Sequence, residues 1–582
     1  MPACRCSWKT PLSATFFSFI TGFYGCTAPA TITQLPASAC EQESTPIALV
    51  QGAGFQSPML ERRVTIRGIA TFVTPGEGLF IEQPLSDTST KTSDGLYLDS
   101  AGLASRVRVG DRLVVAGIVT ELGEGSDTLT ALTGINGFRV CASSVPLPIS
   151  ETRLPLSAQE RESLEAMHVG MQQALMVTDV FRLRTGQISV SRNDILPAPT
   201  EVARPGPDAR DQAARNRRAV INVRLADGDR QRYAVGTGVL ALQGVIGHDG
   251  RSPQLRVKTD LPTLPLNIYR IPEVGEDEIR IIGLNLLNYF NGDGHGGGFP
   301  TARGAKTPAE FSHQRGRLSA AIGQIGPHMV GVMELENDGF GPGSAAQDFL
   351  DDLQSATGHP WAVVNPNDAP VGSNAITVGI FYRSDILQTA GKAGVFTAPP
   401  FERLSRRPVA QVFIHKPSGD NFMVVVNHLK SKGSCPQQGR NSNLHDGQGC
   451  WNLARVEAAR AMSAWVKSLA ITSDASRVLI LGDMNAYRME DPIAAIIDAG
   501  FKDLTASSGL RPLFSYIYSG RAGTLDYAFA SPELLPHVRI ARILNINSPY
   551  PRDMDLPLPW LGSSDHDPVV VDLRFRQAAT WD

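Results

Sequence analysis

After Pro272 the chain alternates between apolar runs of strand length and amphipathic stretches of helix length, which limits its C-terminal half to a layered α/β architecture. The runs are IRIIGLNLLNYF, HMVGVMELEN, ITVGIFYRS, VAQVFIHK, FMVVVNHL, RVLILGDMNA, TLDYAFAS and DPVVVDLRF; QRGRLSAAIGQI and WNLARVEAARAMSAWVKSLA carry the helical pattern. Runs this apolar suit central strands buried on both faces. The predicted arrangement over residues 273–582 is two packed sheets with helices outside, a four-layer α/β sandwich. Polar residues gather where the runs end, where a rigid sheet holds side chains and loops admit a substrate.

The preceding sequence reads differently. From Glu41 to Val145 short strands alternate with glycine-containing turns (VTIRGIATFV, GLFIEQ, GLYLD, RLVVAGIVTEL, GFRVC), the pattern of a small barrel or sandwich over residues 31–145. Its aromatics Phe72, Phe80 and Tyr97 are expected either to fill the barrel or to stack on a base. A Pro/Ser-rich stretch near residues 143–159 marks a boundary. A second β-rich region over residues 146–272 carries QQALMVTDVF, AVINVRL and LQGVIG. Between these pieces lies ARPGPDARDQAARNRRA, whose Arg204, Arg210, Arg215, Arg217 and Arg218 are read as a solvated loop of mixed charge or as a phosphate-tracking insert. No internal repeat is evident.

A length of 582 residues favours about three domains. A net charge of −3 provides no global basic signature, so polyanion binding must be local. In the first 30 residues Arg5 and Lys9 precede the apolar run LSATFFSFITGFYG, the order of a signal peptide, and export is expected. Two processing sites stay open: cleavage at Ala28-Pro29-Ala30, or a lipobox-like Phe23-Tyr24-Gly25-Cys26 that would anchor the chain through a lipid on Cys26. Four later cysteines suit an oxidising compartment. Cys40 with Cys141 and Cys435 with Cys450 are the expected local pairs; no CxxC spacing points to zinc.

The chemistry-bearing residues sit at strand ends in order: Asn285 and Asn288 in GLNLLN, Glu334 in GVMELEN, His428 in VVNHLKSKG, Asp483 and Asn485 in LGDMNA, Asp526 in TLDYAF, and Asp565-His566 in SSDHDP. A hard divalent cation takes carboxylate and amide oxygens, and phosphodiester cleavage also needs proton donors and acceptors. Every such residue lies after Pro272, so a fragment of residues 273–582 is expected to contain all the chemistry.

This ordered set resembles the endonuclease/exonuclease/phosphatase superfamily, with its DNase I-like fold, over roughly residues 279–576. LNLLNYF, NHLKSKG and CPQQG…DGQGCWNLAR are most similar to large secreted bacterial nucleases of the ExeM type, which also carry an N-terminal OB-like module. The resemblance implies a metal-dependent phosphodiesterase acting on DNA, with RNA a second candidate substrate. It implies Mg²⁺ or Mn²⁺, with Ca²⁺ as a third candidate, at Glu334 and Asp565 assisted by Asn285. His566 would contact the scissile phosphate or deprotonate water, with Asp526 holding its ring. Asp483 would orient or deprotonate the water, Asn485 would donate to a phosphate oxygen, and His428 would act as general acid. Asn288 and Arg455 would contact substrate, although a surface salt bridge is an equal reading of Arg455. Glu336 is expected to support Glu334. Asn374 stands where the related nucleases carry an acidic residue, which weakens the His428 assignment.

Two other functions compete. One is a sphingomyelinase or phosphatase of the same fold, for which PYPRDMDLPLPWL (549–561) could supply a membrane hairpin. The other is a catalytically degenerate nucleic-acid-binding surface protein.

Overall fold

The computed structural model describes residues 32–575 apart from 84–88, 125–127, 229, 231, 251, 265–270, 276, 367–370, 403, 509–512 and 553. The expected signal peptide, with Cys26, lies outside the described residues. Among the described residues no helix is long and apolar enough to cross a membrane.

Strands Arg63–Thr74, Gly78–Glu82, Gly95–Leu98, Arg112–Leu122 and Leu129–Ala142 close into a barrel, because the last pairs with both the third and the fourth. Leu79, Ile81, Leu96 and Leu98 point into its core, so the alternate residues Phe80 and Tyr97 point out. Neither expectation for these rings holds. Phe80 and Tyr97 pack with Ala166 and Val245 of the next module, and Arg256 lies over the Phe80 ring. The aromatic face of the barrel is thus covered by protein. The Cys40–Cys141 disulfide ties the chain entering the barrel to its last strand.

The middle module is an eight-stranded sheet. The arginine-rich insert is not a loop: Pro207–Ala219 is a helix with Pro at its first turn, Asp208 near its N-terminus and Arg217 and Arg218 in its last turn, each favoured by the helix dipole. Only Ala209 and Asn216 are buried on it, so it lacks the apolar stripe that would have marked it in the sequence.

The C-terminal half is a mixed α/β, DNase I-like domain built on two six-stranded sheets. One sheet runs in the order 361–363, 376–383, 329–336, 278–289, 569–574, 538–543; the other runs 387–395, 406–415, 421–428, 478–483, 526–530, 502–503. Side chains alternate between two apolar layers. Ile281, Met333, Val424, Val426 and Leu481 fill the space between the sheets. Ile282, Leu284 and Val332 face helices Pro308–Ile325 and Ala345–Thr357; Met423, Val425 and Ile480 face helices Asn452–Thr472 and Asp491–Asp498. Gly331 lets the sheets approach, since a Cβ there would lie 2.7 Å from Val426 Cγ2.

The middle module clasps this domain. Ala522 donates to the Leu196 carbonyl at 2.8 Å, and Ala198 donates to the Ala522 carbonyl at 2.7 Å. Buried Glu201 accepts from Thr524 N–H at 2.9 Å and from Arg488 Nε at 3.1 Å.

Candidate active site

Strand register assembles the site. In the second sheet His428 pairs with Asp483, and Asp483 pairs with Asp526, so one rung across three neighbouring strands carries all three side chains. The first sheet supplies Asn285 and Glu334 from adjacent parallel strands, Asn285 facing Met333 in the register. The loop before strand Val569–Arg574 brings Asp565 and His566.

His566 Nδ1 lies 2.7 Å from Asp526 Oδ2, which also accepts from Ser515 Oγ at 2.7 Å. The Tyr516 ring packs on His566 with centroids 4.5 Å apart. Asp483 Oδ2 lies 3.4 Å from His428 Nε2 and accepts from Asn285 Nδ2 at 3.4 Å. Its Oδ1 accepts from the Asn485 N–H at 2.8 Å, while Asn485 Nδ2 donates to the Leu429 carbonyl at 3.2 Å. Glu334 Oε2 accepts from the Asn288 N–H at 3.0 Å, and Glu336 Oε2 accepts from Asn291 at 3.2 Å. Asp565 sits 4.0 Å from Arg552. Leu287, Asn288, Glu334 and Asn485 all have φ between 48° and 62°, a region costly for side-chain-bearing residues and tolerated where surrounding contacts hold it.

Charged neighbours separate the two histidines, both of which are buried. Burial drives His428 well below its usual range, with Arg406 adding to the effect. At His566 burial also opposes the charge, but the charge and hydrogen bond of Asp526, then Asp483 and Asp565, outweigh it, and the ring is held well above its usual range. The two rings are thus shifted in opposite directions, His428 toward the neutral form and His566 toward the charged one. The buried Nδ1 of His428, the expected general acid, has no hydrogen-bond partner. Asn374 does not supply one: its carbonyl and side chain bond Asn337 and Ile376. Burial likewise raises Asp483, partly offset by His566.

Arg455 departs from its expected place. It is neither a phosphate clamp nor a surface ion pair: fully buried, its guanidinium donates to the carbonyls of Lys430, Cys450 and Gln448 at 3.2, 2.8 and 3.0 Å. It orders the loop closed by the Cys435–Cys450 disulfide.

Asn285, Glu334 and Asp565, the expected cation ligands, offer carboxylate and amide oxygens, and the buried Asn288 Oδ1 and Asp526 Oδ1 have no hydrogen-bond partner. That set fits a hard divalent cation better than a thiophilic one. Ligand atoms of Asp483, Asp526 and His566 also come within 4.8 Å of one another, but His566 Nδ1 is engaged by Asp526, which suits a proton-holding pair.

Residues 290–566 match the Endonuclease/Exonuclease/phosphatase family. The matched span opens after Asn285 and ends on His566. No curated protein matches the chain. Among solved structures, the chain is similar to the human Nocturnin catalytic domain, with 16% identity over 52% of this chain and 97% of that one and a TM-score of 0.35. It is also similar to a mannosyl-6-phosphatase of Bacteroides thetaiotaomicron (18% identity, 51% and 100% covered, TM-score 0.35). D. rerio TDP2 complexed with single strand DNA product gives 14% identity, 52% and 100% covered, and a TM-score of 0.34.

Sequence reading missed Ser515 and Tyr516. They lie on a short hairpin, Tyr516–Tyr518 with Arg521–Gly523, that no apolar run announces. The signal was the turn pair Ser519-Gly520 directly after the aromatic-containing segment Tyr516–Tyr518.

Proposed function

We propose that the protein is an exported metal-dependent phosphodiesterase that hydrolyses nucleic acid, DNA foremost and RNA second, by in-line attack of water. The observation that carries this reading is the rung joining His428, Asp483 and Asp526 with His566 bonded across it at 2.7 Å. Glu334, Asn285 and Asp565 would hold Mg²⁺ or Mn²⁺, with Ca²⁺ as a third candidate; the cation there supplies Lewis-acid polarisation of a phosphate oxygen. Asp483, made more basic by burial, takes a proton from the attacking water. His566, charged and fixed by Asp526, donates from Nε2 to the phosphate or the departing oxygen. The second amide hydrogen of Asn485 is free for a phosphate oxygen, and Asn288 lines the approach. His428 orients Asp483 as a neutral neighbour.

Export is supported by the leader-like first 30 residues and by two disulfides, which suit an oxidising compartment; release and anchoring through Cys26 are both compatible with it. The N-terminal barrel, read as the OB-like module of ExeM-type nucleases, serves as a spacer, since its aromatic face is covered. The lipid alternative loses its hairpin: Leu556, Leu558 and Trp560 pack against the core. The test is hydrolysis of plasmid DNA, RNA, sphingomyelin and inositol phosphates, with EDTA and after Mg²⁺ or Mn²⁺ is restored. Cation-dependent cleavage of DNA is expected. Turnover of sphingomyelin or inositol phosphate alone would select the second reading; binding of DNA without cleavage would select a degenerate surface protein.

A further inference from the structure

Between the middle module and the Tyr516–Gly523 hairpin runs a cleft of about 970 Å³ that ends at Tyr516 and Asp565. Two aromatics stand out from its rim. Phe181, 83% exposed, sits on a turn fixed by its own N–H to Asp179 Oδ1 at 2.8 Å. Tyr518 is 66% exposed on the opposite wall. Two large rings thus flank one cleft from opposite walls, and both are braced rather than loose. Thr178 donates to the Gly520 carbonyl at 2.8 Å, and a Cβ at Gly520, where φ is +68°, would lie 3.1 Å from Asp179 Cβ. The turn beside Tyr518 is thereby locked onto the strand that leads to Phe181.

We infer that this cleft is an extended subsite for an unpaired nucleic-acid strand, with Tyr518 and Phe181 stacking on bases and Arg182, Arg217 and Arg521 facing its phosphates. The inference rests on the phosphodiesterase reading for where the strand is cut. Tyr516, two residues before Tyr518 on one strand, turns to the same side of it and packs its ring on His566, so a base on Tyr518 would lie about two strand residues, roughly 6.7 Å, from the site. Arginines at 182, 217, 521 and 552 share the cleft with Asp179, Asp249 and Asp565, and Arg182 is 3.9 Å from Asp249. Near-balanced charge leaves recognition to stacking, and the salt dependence is shallow.

The test measures binding of fluorescein-labelled oligothymidylate to the full-length protein in EDTA by anisotropy, beside KM and kcat for the same oligomer with Mg²⁺. Phe181→Ala and Tyr518→Ala should each weaken binding about fivefold or more and raise KM, with kcat held. Arg182→Glu tests the same wall by charge, and Ile471→Ala, on an 81% exposed residue elsewhere, is the control. Because both aromatics are exposed, unchanged melting temperatures are expected. Unchanged binding in both aromatic variants, or duplex DNA bound as tightly as the single strand, overturns the subsite. Wild-type binding without cleavage of any diester would instead defeat the phosphodiesterase reading and leave the subsite standing.

Discussion

Asp526 Oδ2 and His566 Nδ1 stand 2.7 Å apart although Asp526 opens a strand of one sheet and His566 precedes a strand of the other. The contact makes the proton-bearing state of His566 depend on how the two sheets pack. Asp526→Asn keeps the shape and removes the charge, so kcat should fall by about 10²–10⁴-fold. Ser515→Ala, which removes one donor to Asp526, should fall less. Steady-state kinetics on folded variants checks the order; an Asp526→Asn enzyme as fast as the parent would remove His566 from the chemistry.

Glu334→Gln should raise the Mg²⁺ concentration needed for half-maximal activity, since an amide is a weaker ligand for a hard cation. Its hydrogen bond from Asn288 can persist through the remaining oxygen. A titration of activity against metal, with calorimetry of metal binding, reads the shift directly; identical titration curves for parent and variant would move the cation elsewhere.

Two buried carboxyls where the barrel meets the middle module make stability depend on pH. Burial pushes Glu82 up to about 8, and burial with the nearby Glu162 pushes Glu165 up to about 8. Each folded carboxyl keeps a proton that the unfolded chain, with its reference value of 4.5, has released at neutral pH. The stabilisation is full below that value and is lost as pH rises through about 8. Melting temperature should therefore drop between about pH 5 and pH 9, and the Glu82→Gln/Glu165→Gln double variant should flatten the curve. Equal slopes for parent and double variant would place the linkage in other groups.

Glu201→Ala should destabilise the protein by about 3–5 kcal/mol, because it leaves the largely shielded Arg488, 16% exposed, short of one partner and Thr524 N–H without an acceptor. It should also lower turnover through the hairpin that holds Tyr516. The same contacts revise the expectation that residues 273–582 suffice: such a fragment leaves the Ala522 edge and Arg488 without Leu196, Ala198 and Glu201. Denaturant unfolding of Glu201→Ala gives the number; a loss under about 1 kcal/mol, typical of a surface pair, would mean the clasp is dispensable.

Strands buried on both faces were legible because every position had to be apolar, as in Phe422–Val426. Edge strand Leu387–Val395 was not, since exposed Gln388 and Lys392 interrupt its pattern. The carboxylates and histidines were readable as motifs at strand ends. Their electrical roles were not, because the difference between His428 and His566 comes from Asp526, far away in sequence and adjacent only through the register. Arg455 shows the same limit: sequence reveals a cation near anionic chemistry, while only the folded loop presents three carbonyls to it.

The clasp on the hairpin also sets an order of assembly. Glu201 and Thr524 are 323 residues apart, and Thr178 and Gly520 are 342 apart. Contacts of such separation close late in folding, since a long stretch of chain must be ordered before they return any stability. The middle module precedes its partners in the chain, so Glu201 lacks Arg488 and Thr524 until both have folded against it. The ring that packs on His566 sits on the hairpin which that step closes, so a partly folded chain would hold the residues of the site without their geometry.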